Sequence, residues 1–252
     1  MKLLTLARDL KRRKARERQG LFVAEGMRMV EELLRSPLRI RGALITPQLA
    51  TTPRGSALRD ALLARSVEVA EVGETEFASA ADTESPQGVL AIAVAPAPRL
   101  EELHLSKPSR LLVLDGVQDP GNVGTILRTA AAFGATATLA LPGTVDLWNA
   151  KVVRSAMGAH FAHPAIHCTV EALAAFLDAH DVAMWAADAG GVPLGTLEAP
   201  ARLALALGNE GAGLSAPVRA RAAAVVSIPI APDVESLNVA VSAGIFLYSL
   251  RP

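Results

Sequence analysis

The sequence predicts an α/β protein of two domains, and three observations lead to this. Short apolar runs alternate with segments of helical periodicity along most of the 252 residues, as in chains whose strands are joined by helices. The run at residues 111–117 is mostly apolar without alternation, which suits a strand buried on both faces of a parallel sheet. A proline-rich polar segment, residues 96–110, separates the halves, so we expect domains at 1–95 and 111–252 with a linker between them.

The first half is expected to fold as a small α/β domain. Its strands are predicted at residues 21–24, 40–46, 67–72 and 87–95. Its helices are predicted at residues 27–34, 56–65 and 74–81. Gly26 lies at the turn between the first strand and the first of these helices, whose apolar side chains recur on one face.

The N-terminal segment is basic although the whole chain is electrically neutral. The 25 Lys and Arg residues balance 25 Asp and Glu, but residues 1–41 contain twelve basic and five acidic residues. Residues 8–18, RDLKRRKARER, are mostly good helix formers. Two interpretations stay open: a solvated helix face or loose arm, which is the commoner meaning of a charge run, or a segment that contacts the phosphates of a polyanion.

The second half is expected to begin with a βαβ unit. This unit comprises a strand at 111–117, a helix at 123–133 that ends at Gly134, and a strand at 136–141. Later strands are predicted at 182–187, 203–207 and 225–230, and later helices at 148–158, at 170–180 and from about Ser236. Ser236 is the expected N-cap of the last helix, because its hydroxyl can accept a backbone N–H.

Two loops near the C-terminus predict a ligand crevice. The glycine-rich loop at residues 208–213 follows the strand at 203–207, and residues 231–235 follow the strand at 225–230. Each loop leads to the start of a helix. Loops that leave neighbouring strands of an open α/β sheet in this way form ligand crevices, so we interpret these two as the walls of a cofactor pocket.

A single strong charge stands on the otherwise apolar helix at residues 123–133. Arg128 can lean toward the crevice and meet a ligand there. Alternatively, it extends along the surface or pairs with an acidic residue such as Asp115 or Asp119. Position alone does not separate these two possibilities.

Three polar residues of the two loops are further candidates. Asn209 and Glu210 either present polar groups to a ligand or cap the helix that begins near Ser215. Asn238 is expected just inside the last helix, where asparagine is unfavourable by propensity. Its amide either holds a polar group of a ligand or makes an ordinary hydrogen bond at the helix end.

Several classes of protein are disfavoured. The loop after residue 117 lacks the G-x-G-x-x-G pattern of dinucleotide-binding folds, and no P-loop is present. Cys168 is the only cysteine and the five histidines have no ligand-like spacing, so we expect neither a disulfide nor a metal site. We see no signal peptide and no membrane segment, and therefore expect a cytoplasmic protein.

Three blocks of the second half resemble the SpoU family of RNA ribose 2′-O-methyltransferases, within the SPOUT superfamily. They are NVGTILRTA at 122–130, LGNEGAGL at 207–214, and 228–244, which opens with IPI and closes with SLNVAVSAG. The segment KVVRSAMG at 151–158 also resembles the family. The resemblance covers residues 111–250, and the first half looks more loosely like the substrate-binding domain that many members carry in front.

The resemblance implies S-adenosylmethionine as methyl donor, a homodimer, and a C-terminal trefoil-knotted parallel-sheet domain behind a small α/β RNA-binding domain. The residues that it implies for catalysis or substrate placement are Asn122, Arg128, Glu210, Ser236 and Asn238. The residues expected at the cofactor are Leu207, Gly208, Asn209, Gly211, Ile228, Ile230 and Leu237. The residues expected to contact RNA are Lys11, Arg12, Arg13, Lys14, Lys151 and Arg154.

The expected activity is methylation of a structured RNA, most simply 23S rRNA. A transfer RNA is the alternative substrate, and a non-catalytic module for RNA binding or ribosome assembly is the alternative class. A small-molecule methyltransferase would leave the basic segment without a use. The guanidinium of Arg128 has no acceptor and stays charged, so we expect it to grip a phosphate beside the target ribose rather than to act as the base.

Overall fold

The computed structural model describes residues 2–251, whose contacts define two compact units. The first unit extends to Ala97 and also contains residues 146–162. The second unit contains residues 98–145 and the chain from His163 onward. The segment at 146–162, which lies within the second domain predicted from sequence, therefore belongs to the first unit.

Helices and strands alternate along most of the chain. The α-helices of the described residues are α1 (Lys2–Asp9), α2 (Arg13–Gln19), α3 (Met27–Arg35), α4 (Pro53–Ala64), α5 (Glu74–Ala80), α6 (Pro120–Ala132), α7 (Ala150–Ala156), α8 (Val170–Ala179), α9 (Ala216–Arg221) and α10 (Val239–Leu250). The strands are β1 (Leu21–Glu25), β2 (Ile40–Ile45), β3 (Val69–Glu71), β4 (Val89–Val94), β5 (Ser109–Asp115), β6 (Ala137–Ala140), β7 (Ala165–His167), β8 (Ala183–Pro193), β9 (Arg202–Gly208) and β10 (Ala224–Ser227).

The first unit is built on a four-stranded sheet in the order β1-β4-β2-β3. Strand β4 is antiparallel to β1 and β2, while β3 is parallel to β2. Because side chains alternate along a strand, the sheet is covered on both faces. Phe22 and Ala24 pack with α3 and α4, whereas Val23 packs with α1 and with Phe77 of α5. Strands β1, β2 and β3 thus share one direction, and their carboxyl ends meet at one edge.

A buried ion pair ties the segment at 146–162 to α2. The Nε and Nη2 groups of Arg16 donate to Oδ2 of Asp146 at 2.8 and 2.6 Å. The Nη1 group of Arg16 donates to the carbonyls of Leu10 and Lys11 at 2.8 and 2.9 Å. Both side chains are buried, so Arg16 is a structural member of the basic segment and is not available to a polyanion.

The second unit carries the parallel sheet that the sequence predicts. Its six strands are all parallel, in the order β10-β8-β9-β5-β6-β7. All seven residues of β5 are buried, as expected for a strand with helices on both faces. The order turns at β5, since β6 and β7 follow on one side and β9, β8 and β10 on the other. Ligands of open α/β sheets bind at such a point, outside the carboxyl ends of the strands.

Two helix starts differ from the sequence predictions. Helix α6 begins at Pro120, three residues earlier than expected, because Asp119 is its N-cap. Helix α10 begins at Val239, and its N-cap is Asn238, so the prediction that Ser236 fills that position is wrong. The Asn238 side chain accepts two N–H groups of the first turn, which explains an asparagine that propensity alone leaves unexplained.

The trefoil knot and the homodimer stay predictions. Within residues 2–251, no helix has both the length and the apolar character that crossing a membrane requires.

Candidate active site

A cavity of about 410 Å³ lies in the second unit at the carboxyl ends of β9 and β10 and beside residues 187–189 of β8. Its volume falls within the range of small-molecule sites, about 300–1,000 Å³. Six of the residues expected at a cofactor line it: Leu207, Gly208, Asn209, Ile228, Ile230 and Leu237. Glu210, Ser236 and Asn238 line it as well. Gly211 is not among the lining residues.

Glycine is required at the start of the first loop. A Cβ atom on Gly208 would lie 2.4 Å from the backbone carbonyl carbon of Gly213, closer than side chains allow. Two backbone hydrogen bonds of 3.0 Å join Asn209 and Gly213 across the loop and hold this close approach. The chain therefore leaves β9 in a tight turn whose backbone borders the cavity.

Asn209 fixes the shape of that turn. Its Oδ1 atom accepts the backbone N–H groups of Gly211 and Ala212, each at 2.9 Å. Its Nδ2 group donates to the carbonyl of Gly116 at 2.8 Å. Neither Asn209 nor Glu210 caps α9, so that alternative is wrong; the N-cap of α9 is Ser215. The side chain of Asn209 therefore holds the turn that borders the cavity.

A chain of hydrogen bonds joins three of the predicted catalytic residues. The Nδ2 group of Asn238 donates to Oδ1 of Asn122 at 3.0 Å, and Nδ2 of Asn122 donates to Oε1 of Glu210 at 3.1 Å. The orientation of both amides follows from the network. Because Oδ1 of Asn238 accepts backbone N–H groups of α10, its Nδ2 group is the one left to donate. Helix α10, helix α6 and the loop after β9 are thereby held in one arrangement.

Glu210 is an anion at neutral pH. Burial acts to raise its pKa, but hydrogen bonds from Asn122 and from the backbone N–H groups of Glu210 itself, Gln118 and Asp119 outweigh burial, and the pKa is lowered. A carboxylate that already accepts several hydrogen bonds is a weak proton acceptor. Glu210 is therefore suited to hold a fixed negative charge at the cavity.

The cavity offers free backbone groups to a ligand. The N–H and C=O groups of Ile228, Ile230 and Leu237 make no hydrogen bond with any of residues 2–251. These residues follow β10 or precede α10, outside regular structure, and are half-buried. Backbone N–H and C=O groups that border a cavity and have no protein partner can bond to polar groups of a ligand.

The charges of the cavity favour a cationic ligand. Among the described residues that line it, three are acidic, Asp188, Glu210 and Glu235, and none is lysine or arginine; of the three, Asp188 is paired with Arg219. Phe246 and the aliphatic residues supply the apolar part of its wall. An adenosine with a positively charged sulfonium fits this combination of free backbone groups, apolar wall and negative charge.

Sequence reasoning missed Asp188, whereas Glu235 belongs to the loop at 231–235 that it predicted as a wall of the pocket. Asp188 lies in β8 one residue beyond the predicted strand end, where it accepts the backbone N–H of Gly190 at 3.0 Å and pairs with Arg219. These two contacts, in that order, lower its pKa. The position of Asp188 directly after an apolar run, at the edge where ligands bind, is the signal that could have found it.

Arg128 and Ser236 stand outside the hydrogen-bonded chain. Arg128 is exposed on α6, does not line the cavity, and makes no hydrogen bond or ion pair with residues 2–251. The alternative that it pairs with Asp115 or Asp119 is therefore wrong. Asp115 accepts the N–H of Ser215 at 2.6 Å, and Asp119 caps α6. Arg128 is thus a free cation on the helix that carries Asn122.

The basic residues expected to contact RNA lie in the first unit. Their side chains differ in exposure and in the contacts that they make with other residues. Lys11 donates to the carbonyls of Ser79 and Ala81 at 3.3 and 2.6 Å, so it holds α1 against the end of α5. The other interactions are with acidic side chains: Arg12 with Asp9, Arg13 with Glu17 at 2.7 Å, and Arg154 with Asp82 at 3.0 Å. Lys14 and Lys151 are exposed.

The fold and the site together define a two-unit α/β protein whose parallel sheet carries a small-molecule crevice beside a chain of amide and carboxylate groups. Residues 109–248 match the SpoU rRNA methylase family, and residues 5–91 match the MRM3-like substrate-binding domain. The chain belongs to the SpoU rRNA methylase family.

Similar proteins cover nearly the whole chain. The 23S rRNA (guanosine(2553)-2′-O)-methyltransferase RlmP of Bacillus subtilis is 33% identical over 97% of this chain and 94% of that protein. A crystal structure of an AdoMet-bound rRNA methyltransferase from Sinorhizobium meliloti has a TM-score of 0.86 at 30% identity, over 98% of this chain and 93% of that chain. The SpoU methyltransferase AviRb from Streptomyces viridochromogenes, in complex with AdoMet, has a TM-score of 0.87 at 25% identity, over 98% and 96% of the two chains. The predicted family and its α/β architecture are confirmed.

Proposed function

We propose that this chain transfers a methyl group from S-adenosylmethionine to a ribose 2′-hydroxyl of 23S rRNA. The observation that carries the proposal is the meeting of Asn122, Glu210 and Asn238 at an acidic crevice with free backbone groups. The names of similar proteins support rRNA over transfer RNA as the substrate. We also propose that the reaction takes place in the cytoplasm, where ribosomes contain this RNA.

The residues of the crevice would bind and orient the donor. Free backbone groups of Ile228, Ile230 and Leu237 would hydrogen-bond its adenosine, and the apolar wall would exclude water from it. S-adenosylmethionine supplies an activated methyl group, so the protein has to align it with the hydroxyl rather than to activate it further. The charge of Glu210, held by Asn122, would favour a cationic ligand over its neutral demethylated product.

Arg128 would serve the RNA rather than the donor. A guanidinium binds a phosphate through two parallel N–H groups and fixes its orientation. The positive charge would also lower the pKa of the neighbouring ribose hydroxyl. The proton of that hydroxyl would then pass to the phosphate, since Arg128 has no acceptor. Its exposure and its lack of a protein partner support this role.

Helix α10 supports the proposal of a homodimer. Val241 and Tyr248 are 51% and 57% exposed, and their spacing of two helical turns puts them on one face. Large apolar side chains on one exposed face are suited to association with a second copy.

Two measurements test the proposed function. Calorimetry with S-adenosylmethionine should show one saturable site, and ribose-methylation mapping should show one 23S rRNA position that is methylated only in cells that carry the gene. A protein that binds RNA but not the donor would instead be a non-catalytic module. If a position in transfer RNA were methylated and none in 23S rRNA, the substrate would be transfer RNA instead.

Neutralising part of the basic segment should weaken the salt dependence of RNA binding. We expect the triple replacement of Arg12, Arg13 and Lys14 by Gln to reduce the slope of log K against log salt by about 2, since each phosphate contact contributes ~0.7–0.9. Lys11 is kept because its ammonium holds α5. Filter binding at several salt concentrations measures the slope.

The matched control for this triple variant replaces Arg99 and Lys107, exposed basic residues of the second unit, by Gln. It should leave the slope unchanged. An unchanged slope in the triple variant would identify residues 12–14 as a solvated helix face.

A further inference from the structure

A second cavity, of about 440 Å³, lies in the first unit. It opens where the carboxyl ends of β1, β2 and β3 meet, next to the first turns of α3 and α5 and the loop before β4. This is the same position, relative to the strands, as the crevice of the second unit. The second cavity is part of the unit that matches a substrate-binding domain and contains none of the residues proposed for methyl transfer.

A hydroxyl that has no protein partner faces this cavity. Thr46 lines it, and the Thr46 hydroxyl makes no hydrogen bond with any of residues 2–251. This hydroxyl is not among the buried polar atoms that lack a partner, so it is open to the cavity and can bond to water or to a ligand there. A Cβ atom on Gly88 would lie 2.4 Å from this hydroxyl, and glycine at that position therefore keeps the space in front of Thr46 open.

Two further side chains, those of Gln87 and Glu74, present polar groups to the cavity. The Oε1 atom of Gln87 accepts the N–H of Met27 at 3.0 Å, which leaves the Nε2 group of Gln87 as a free donor. The carboxylate of Glu74 has no partner among residues 2–251 and is a free acceptor. Donors and an acceptor thus line one small cavity.

The apolar walls and the negative charge of the cavity favour a nucleobase over a phosphate as its ligand. Leu49 and Phe77 are almost fully buried at this cavity, while Met27 and Pro86 are half-buried beside it. Apolar side chains of this kind can pack against the face of a ring. Glu74 would repel a phosphate inside the cavity but would accept N–H groups of a base. Guanine presents two N–H donors next to the O6 acceptor on one edge, which suits a cavity lined by a carboxylate, a hydroxyl and an amide donor.

We propose that this cavity of the substrate-binding unit takes up one unpaired nucleobase of the RNA, with guanine preferred. The proposal rests on RNA being the substrate. Single-stranded positions are the usual points at which proteins read RNA sequence, because their bases can leave the stack. Arg28, exposed at the start of α3 next to Met27, would meet the phosphate of the same nucleotide outside the cavity. The site would select the position on a structured RNA at which the protein binds. This role is separate from the transfer of the methyl group.

The first test is a titration of the full-length protein, carrying ¹³C-methyl methionine, with guanosine 5′-monophosphate. We expect the Met27 methyl resonance to shift saturably, while Met29, buried in the same unit, and Met184, in the other unit, stay unshifted. Thr46→Val removes only a hydroxyl without a partner, so the fold should persist. Gln87→Glu keeps the acceptor for the Met27 N–H and loses the donor. Each variant should weaken binding at least fivefold.

Thr75→Val is the matched control, because Thr75 is exposed on α5 and does not line the cavity. It should bind like the wild type. With 23S rRNA as substrate, Thr46→Val should raise KM severalfold and leave kcat and the affinity for S-adenosylmethionine unchanged. The proposal is overturned if the Met27 resonance does not shift at millimolar nucleotide, or shifts equally in Thr46→Val. Donor binding in the same sample reports separately on the proposed function.

Discussion

Replacing Arg128 by Ala should lower kcat/KM for 23S rRNA by about 10²–10³, the usual effect of removing one group that stabilises developing charge. The affinity for S-adenosylmethionine should stay at the wild-type value, since Arg128 does not line the crevice. Stability should also stay unchanged, because the side chain is exposed and makes no hydrogen bond or ion pair with residues 2–251. Steady-state kinetics with calorimetry and a thermal melt measure the three quantities.

Arg128→Lys separates a phosphate grip from a simple positive charge. Lysine keeps the charge but loses the two-pronged geometry, so we expect turnover to stay at least about tenfold below wild type. Arg99→Ala is the control, because Arg99 is an exposed arginine of the same unit whose side chain pairs, among the described residues, with the exposed Glu101 alone. Near-normal turnover of Arg128→Lys would count against a grip by two hydrogen bonds.

The pH dependence distinguishes the grip from the base. If Arg128 were the base, the rate would show an ionisation near neutrality that disappears in Arg128→Lys. We expect the same pH profile in both proteins, since a guanidinium has no acceptor for the proton. The pKa of Glu210 is lowered, so its carboxylate becomes protonated only below the usual pH range of a glutamate. We expect the rate to fall there, because protonation removes the negative charge of Glu210.

The architecture of the second unit was predictable because its signals are local. A mostly apolar run such as 111–117 has few structural alternatives, and a glycine-rich loop directly after such a run indicates a strand end. Strand β7 has three residues, too few to show a period, and the sequence did not indicate it. The first helix turn of α10 was misplaced for a related reason. Ser236 and Asn238 are both good N-caps two residues apart, and only the folded chain decides between them.

The sequence did not indicate which side chains pair with residues far away along the chain. Arg16 stands among seven basic residues and looks like its neighbours, yet its partner is Asp146, 130 positions away. Likewise, nothing in the order of residues indicates that Asn122 lies between Glu210 and Asn238. The resemblance supplied the identity of the three residues, whereas the hydrogen bonds between them depend on strand order, which pattern reasoning does not reach. The partnerless hydroxyl of Thr46 was invisible for the same reason.

The buried pair of Arg16 and Asp146 should account for the largest single loss of stability. We expect Asp146→Ala to lower the free energy of unfolding of the first unit by about 3–5 kcal/mol, because it leaves a guanidinium buried without a counter-charge. Asp146→Asn keeps an acceptor and should lose less. Urea denaturation measures both.

Each unit has its own reporter for this experiment, since the two tryptophans of the chain are Trp148 in the first unit and Trp185 in the second. In a Trp185→Phe background, the fluorescence of Trp148 follows the first unit alone. Glu17→Ala is the matched control. Glu17 lies on α2, the helix that carries Arg16, but its pair with Arg13 is exposed, and surface pairs contribute at most about 1 kcal/mol. If Asp146→Ala cost no more than Glu17→Ala, the segment at 146–162 would be held by its apolar side chains, such as Val153 and Phe161, rather than by the ion pair.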